Sequence, residues 1–86
     1  VNASQKQIDD ILFLDEEIGL GRLPEKLKEI AEIRLLHREE PLSALGQYVP
    51  SGVISKSGVN HRLRKLTKMA DEIRDTGRLP KELQRG

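Results

Sequence analysis

The 86-residue chain has no cysteine and no tryptophan, and its only aromatic residues are Phe13 and Tyr48. Without cysteine there is no disulfide, no thiolate metal site and no cysteine nucleophile, a lack that suits a cytosolic protein. Two aromatics are too few for the stacking platforms that single-stranded nucleic acid recognition uses. The apolar runs fall well short of the roughly 20 residues needed to span a bilayer. The first residues also lack the basic segment and following apolar stretch of a secretory signal. A soluble, cytoplasmic chain with no membrane partner is expected, and in that setting Asn2-Ala3-Ser4 reads as a chance sequon. A glycine-rich phosphate loop is missing, as is any recognisable arrangement of Ser, His and acid. His37 and His61 are twenty-four residues apart, with neither Cys partners nor an H-x-x-x-H spacing. No catalytic residue, metal site or cofactor is expected, and the acids are expected on solvated helix faces.

What is present is helical patterning in one small domain, residues 1–86, near the lower size at which a core holds without staples. Ile8, Ile11, Leu12, Leu14 and Ile18 give an apolar face over about residues 4 to 18, and Gly19 and Gly21 stop it. A second helix starts at Pro24, which has no N–H to lose, with Glu25 favourable to the helix dipole. Leu23, Leu27, Ile30, Ala31 and Leu35 form its buried side until about His37, and Pro41 opens a third helix. The strings Gly21-Arg-Leu-Pro-Glu-Lys-Leu27 and Gly77-Arg-Leu-Pro-Lys-Glu-Leu83 share helix-start grammar, too short to define a solenoid. The last ten residues are expected to fray or form a short helical tail. The chain opens on Val1 rather than methionine, and truncation rather than processing is the expected reason.

The near-neutral net charge of +1 conceals an asymmetry. Residues 1 to 40 hold six Lys/Arg against ten Asp/Glu, whereas residues 41 to 86 hold nine against four, and residues 41 to 70 contain no acid. The second half is therefore the face expected to meet phosphates, and the acidic half is expected to face away.

Within that basic half, Leu42, Leu45, Gly46 and Val49 share a face of a short segment, and a longer helix follows. Ser55 suits the N-cap of a helix running from Lys56 to about Arg74. At about 100° per residue, Val59, Leu63, Leu66, Ala70 and Ile73 cluster on one side while Ser57, His61, Arg64 and Lys68 cluster on the other. The pattern is a helix-turn-helix over about residues 42–74. Gly46 stands where the backbone of the first motif helix must come close to the second. The stretch Val49 to Ile54 makes the turn longer than the usual three or four residues.

Donor and acceptor chemistry assigns roles along that helix. Ser57, Asn60, His61 and Arg64 are the candidate base readers, with Asn suited to adenine, Arg to guanine and Ser to either. Ser55, Lys56, Arg62, Lys65 and Lys68 are the candidate phosphate contacts. Arg62 projects about 60° from the buried stripe, a direction that serves a phosphate or a neighbouring Glu equally. Arg34 lies on the apolar face of the second helix, and a snorkelling or ion-paired arginine at the core edge is expected there rather than a phosphate contact. Phe13 falls off the main apolar face of the first helix, as a surface residue or part of a docking surface.

The block Val53-Ile-Ser-Lys-Ser-Gly-Val-Asn-His-Arg-Leu-Arg-Lys-Leu66, with Leu23-Pro24-Glu25-Lys26-Leu27, Ile33-Arg34-Leu35 and Leu45-Gly46, resembles the C-terminal domain of the WhiA family over nearly the whole chain. The specific part is Ser55 to Arg64, because general helix-turn-helix proteins share its apolar spacing without the Ser-Lys-Ser-Gly-Val-Asn-His string. The resemblance implies an all-α fold, a small helical bundle with a helix-turn-helix resembling sigma-factor region 4. It also implies a bacterial transcription regulator linked to sporulation and cell division, associated with the nucleoid. Double-stranded DNA is the implied partner, together with an N-terminal domain built like a LAGLIDADG homing endonuclease that these residues do not include. The alternative is a helix-turn-helix module that docks a protein partner in transcription or cell division.

Overall fold

The computed structural model describes residues 3–80. It has four α-helices, α1 (Ala3–Glu17), α2 (Glu25–Leu36), α3 (Leu42–Leu45) and α4 (Lys56–Thr76), with 3-10 turns at Leu20–Arg22 and Gly46–Tyr48. Among the described residues there is no strand, so the chain is an all-α bundle. Pro24 and Pro41 occupy the N-cap positions of α2 and α3, so each helix starts one residue later than expected. The Pro24 carbonyl accepts from the amides of Leu27 and Lys28, which closes the first turn of α2. No helix of the described residues is long and apolar enough to cross a membrane.

The helix α4 is the element against which α1, α2 and α3 all pack. Its inner stripe of Val59, Leu63, Leu66, Ala70 and Ile73 is buried as the spacing predicts, and Met69 joins it. Ile11 and Leu14 of α1, Leu27, Ile30 and Ala31 of α2, and Leu45 of α3 complete the core. Leu12, expected on the buried face of α1, is 41% exposed instead. It follows Ile11 by one residue, and a 100° step carries its side chain out of the interface. Ile33, by contrast, is buried without having been expected on that face of α2.

Three features depart from the sequence reading. Arg34 neither snorkels nor makes an ion pair: it is fully buried. Its Nη2 donates to the carbonyls of His37, Arg38 and Glu40 at 2.9, 2.7 and 2.8 Å, and Nη1 donates to Gln7 Oε1 at 3.4 Å, while Nε has no partner. The guanidinium thus satisfies carbonyls at and beyond the end of α2, where a cation also suits the helix dipole. Burial pulls its pKa below the ordinary arginine value, opposed by the charge of Glu40. It remains a cation, because arginine starts so far above neutrality.

Asp10 is the second departure, since it is an acid 1% exposed rather than on a solvated face. It accepts from Arg74 Nη1 at 2.6 Å and from Lys6 Nζ at 3.1 Å, tying α1 to the far end of α4. The Arg74 pKa is raised, first by this hydrogen bond to Asp10 and further by Asp71. Phe13 is the third: it is half-buried against the core, with the Arg74 guanidinium 4.4 Å from its ring centre. The ring of Phe13 is therefore a packing surface for α4.

At the end of α4, Gly77 adopts φ 71° and ψ 12°, a left-handed conformation that glycine takes without strain, and its amide bonds to the Ile73 carbonyl at 2.7 Å. The chain then turns back, and Pro80 is fully buried beside Met69 and Glu72 rather than frayed. The remainder of the expected tail, and Asn2 of the sequon, lie outside the described residues.

Candidate nucleic-acid interface

The interface begins with one hydroxyl. Ser55 has an extended backbone, with φ −73° and ψ 165°, and its Oγ accepts from the Gly58 amide at 3.2 Å. The Ser55 carbonyl accepts from the Val59 amide at 3.0 Å. Together these bonds set the first residue of α4 and hence the rotation of every later side chain about its axis. With Val59 and Leu63 facing inward, Ser57, His61, Arg64, Lys65 and Lys68 face outward and are exposed, with Asn60 half-buried at their edge.

The position of α4 depends on the turn before it. The Ile54 amide donates to the Gly46 carbonyl at 3.1 Å. A Cβ on Gly46 would collide with the Ile54 carbonyl oxygen and lie 3.3 Å from Val59 Cγ2. The small residue is required mainly by the turn folding over the first motif helix, and only secondarily by α4 itself. His37 at the end of α2 stacks on Tyr48, with ring centres 4.0 Å apart and planes 4° off parallel. Ser51 Oγ also donates to Glu29 Oε1 of α2 at 2.9 Å. The acidic half is therefore not turned wholly away, since α2 holds the loop of the motif.

Ser57, Asn60, His61, Arg64, Lys65 and Lys68 line one shallow, open depression along the outer face of α4. All four candidate base readers are thus brought together with two of the candidate phosphate contacts. Lys56 is exposed at the helix start, outside this depression. The Ser55 hydroxyl is engaged in the cap, and Arg62 turns to the adjacent flank, toward α2. No described ion pair involves Lys56, Arg64, Lys65 or Lys68, although Glu72 borders Lys65 and Lys68 at the far end of this face. Among the described residues, no group of three or more His, Asp or Glu is arranged to hold a metal ion. Sequence reasoning omits the start of α2, where Lys26 borders α4, because a contact between distant helices leaves no periodic trace.

A capped helix with one buried stripe and one cationic, hydrogen-bonding face, preceded by a short helix and an extended turn, defines a helix-turn-helix module of the DNA-binding class. The family model described as the WhiA C-terminal HTH domain matches residues 1–70, and the chain belongs to that family. It is 60% identical over 73 residues to a "Probable cell division protein WhiA" of Pediococcus pentosaceus, covering 85% of this chain and 24% of that protein. A protein of the same description from Limosilactobacillus reuteri is 62% identical over 85% of this chain and 23% of its own length. Another, from Staphylococcus epidermidis, is 53% identical over 87% of this chain and 24% of its own. The chain therefore spans about a quarter of the length of these relatives. No solved structure matches it.

Proposed function

We propose that this domain binds double-stranded DNA in a sequence-specific manner as part of a bacterial transcription regulator in the nucleoid-associated cytoplasm. In this reading α4 enters the major groove by its N-terminal half, and α3 braces it across the backbone. Ser57, Asn60, His61 and Arg64 read base edges, while Ser55, Lys56, Arg62, Lys65 and Lys68 contact phosphates. The observation that carries the proposal is the open depression in which all four readers meet two lysines, Lys65 and Lys68, that have no described ion pair. The description of the relatives as cell division proteins supports a link to that process. A sporulation role rests on the WhiA resemblance alone. The short span relative to those proteins supports an N-terminal domain as a partner in the same chain, homing-endonuclease-like by the same resemblance. No catalytic step is assigned to the domain.

The test is a titration of the domain against duplex DNA at several salt concentrations, using a candidate promoter and random sequence. About four or five phosphate contacts should release a comparable number of counterions, so affinity should fall steeply between low and physiological salt. The promoter should bind more tightly than random duplex throughout. A flat salt response, or no binding at low salt, would overturn the proposal in favour of a protein-docking role.

A further inference from the structure

The second groove of α4 lies on its other flank, between the start of α2 and the middle of α4. Glu25, Lys26 and Leu27 form one wall, and His61, Arg62, Lys65 and Met69 form the other. Arg62 is half-buried there, and its Nη1 is buried without a hydrogen-bond partner. Buried Arg34 places Nη2 on carbonyls, and the more exposed Arg74 places Nη1 on Asp10. Arg62 alone of the three has no hydrogen bond or ion pair among the described residues. A buried donor left unmatched costs stability, so the fold keeps a guanidinium short of an acceptor. Glu25 is the one acid in the groove, against Lys26, Arg62 and Lys65. Leu27 and Met69 supply an apolar floor that limits water and strengthens charge interactions above it.

We infer that this groove seats a phosphate of the DNA backbone, held by Lys26 of α2 and Arg62 of α4. The inference rests on the DNA-binding reading and extends it to a helix in the acidic half of the chain. His61 and Lys65 line both this groove and the outer depression, so the two lie side by side across α4. A helix inserted in the major groove has a phosphate backbone along its flank, and the groove with Lys26 is where that strand would pass. The ligand is accordingly a phosphodiester carried on duplex DNA. It would fix how deeply α4 enters without reading any base.

The experiment uses the full chain and measures duplex affinity across salt for Lys26→Glu, Arg62→Gln and a control, Arg38→Glu, at the opposite end of α2. Lys26→Glu should weaken promoter and random duplex alike, by about tenfold at low salt, and should reduce the slope of log affinity against log salt by at least about one. Arg62→Gln should act in the same direction and Arg38→Glu should have little effect. Lys26 is exposed and has no ion pair among the described residues, so its substitution tests the groove even if Arg62→Gln loosens the fold by circular dichroism. Equal losses for Lys26→Glu and Arg38→Glu would reduce the effect to general charge and overturn the inference. An unchanged salt slope in both groove variants would overturn it while leaving the outer face of α4 as the DNA contact. Failure of the unsubstituted chain to bind any duplex at low salt would instead remove the DNA-binding reading, and the groove with it.

Discussion

Arg34 at the end of α2 and Arg64 on the outer face of α4 are the same residue used in opposite ways. Arg34 is sealed from water and gives its Nη groups to three carbonyls and a glutamine. Arg64 is exposed, has no ion pair among the described residues, and stands beside Asn60, His61 and Lys68 in a shared depression. Helical periodicity puts one on an inner face and the other on an outer face; the state of their hydrogen-bond partners shows what each does there. A cation fully supplied with acceptors by its own fold is architecture, whereas one left unsupplied on a surface without acids is available to a ligand.

That contrast can be broken most severely by removing the support common to both sites. Leu63 is at the centre of the inner stripe of α4 and 1% exposed. Leu63→Ala should cost about 2 to 5 kcal/mol, which a core this small can hardly spare. Thermal unfolding should show a large loss, and DNA binding should decline only as far as folded protein does. A normal melting temperature would mean that the rotation of α4 is wrong.

Arg34→Met sharpens the contrast from its structural side. It strands buried carbonyls at the end of α2, at about 1 to 3 kcal/mol for each group that water cannot reach. A total loss of roughly 3 kcal/mol is expected in chemical denaturation. The fraction that remains folded should bind DNA with unchanged affinity. A melting temperature equal to that of the unsubstituted chain would show that the carbonyl cage contributes nothing.

Arg64→Ala should give the reverse pattern, an unchanged circular dichroism melt and a loss of about 1 to 3 kcal/mol in DNA affinity, with relaxed preference at one position of the site. Lys68→Ala, one turn later on the same face, should have the smallest effect. It should weaken all sequences alike and reduce the salt slope by about one. Competition between operator variants and random duplex distinguishes the two behaviours. Equal losses on every sequence for both variants would make Arg64 a phosphate contact, and unchanged affinity for both would favour protein docking.

The outer face of α4 was legible in sequence because one local event, the Ser55 cap, fixes its phase, and the Val59–Leu63–Leu66 stripe repeats that phase for several turns. The order of the helices was legible for the same reason. Arg34 could be placed on the inner face, yet its partners lie in the bend after α2, whose path no periodicity records. Asp10 was misread as solvated because its partner Arg74 is on another helix. Phe13 reads in sequence as a surface or docking residue for the same reason, since the guanidinium that covers it is that of Arg74. Lys26 escaped notice because net charge averaged over residues 1 to 40 hides a single lysine placed against a basic helix. Local chemistry is visible residue by residue, while contacts between helices need the fold.

The pairing of Asp10 with Arg74 spans 64 positions of the chain, and this bears on the order in which the domain can assemble. Closing so long a loop carries an entropic cost that α1 and α2 cannot offset before α4 is available. During synthesis, α1 emerges with Ile11 and Leu14 lacking the helix they pack against. The contacts of α4 with α1, α2 and α3 can form only once the ribosome has released most of α4. The cationic face and the element that stabilises the whole bundle are thus two sides of one late-arriving helix. A nascent chain that has not yet folded has no ordered face to present to DNA.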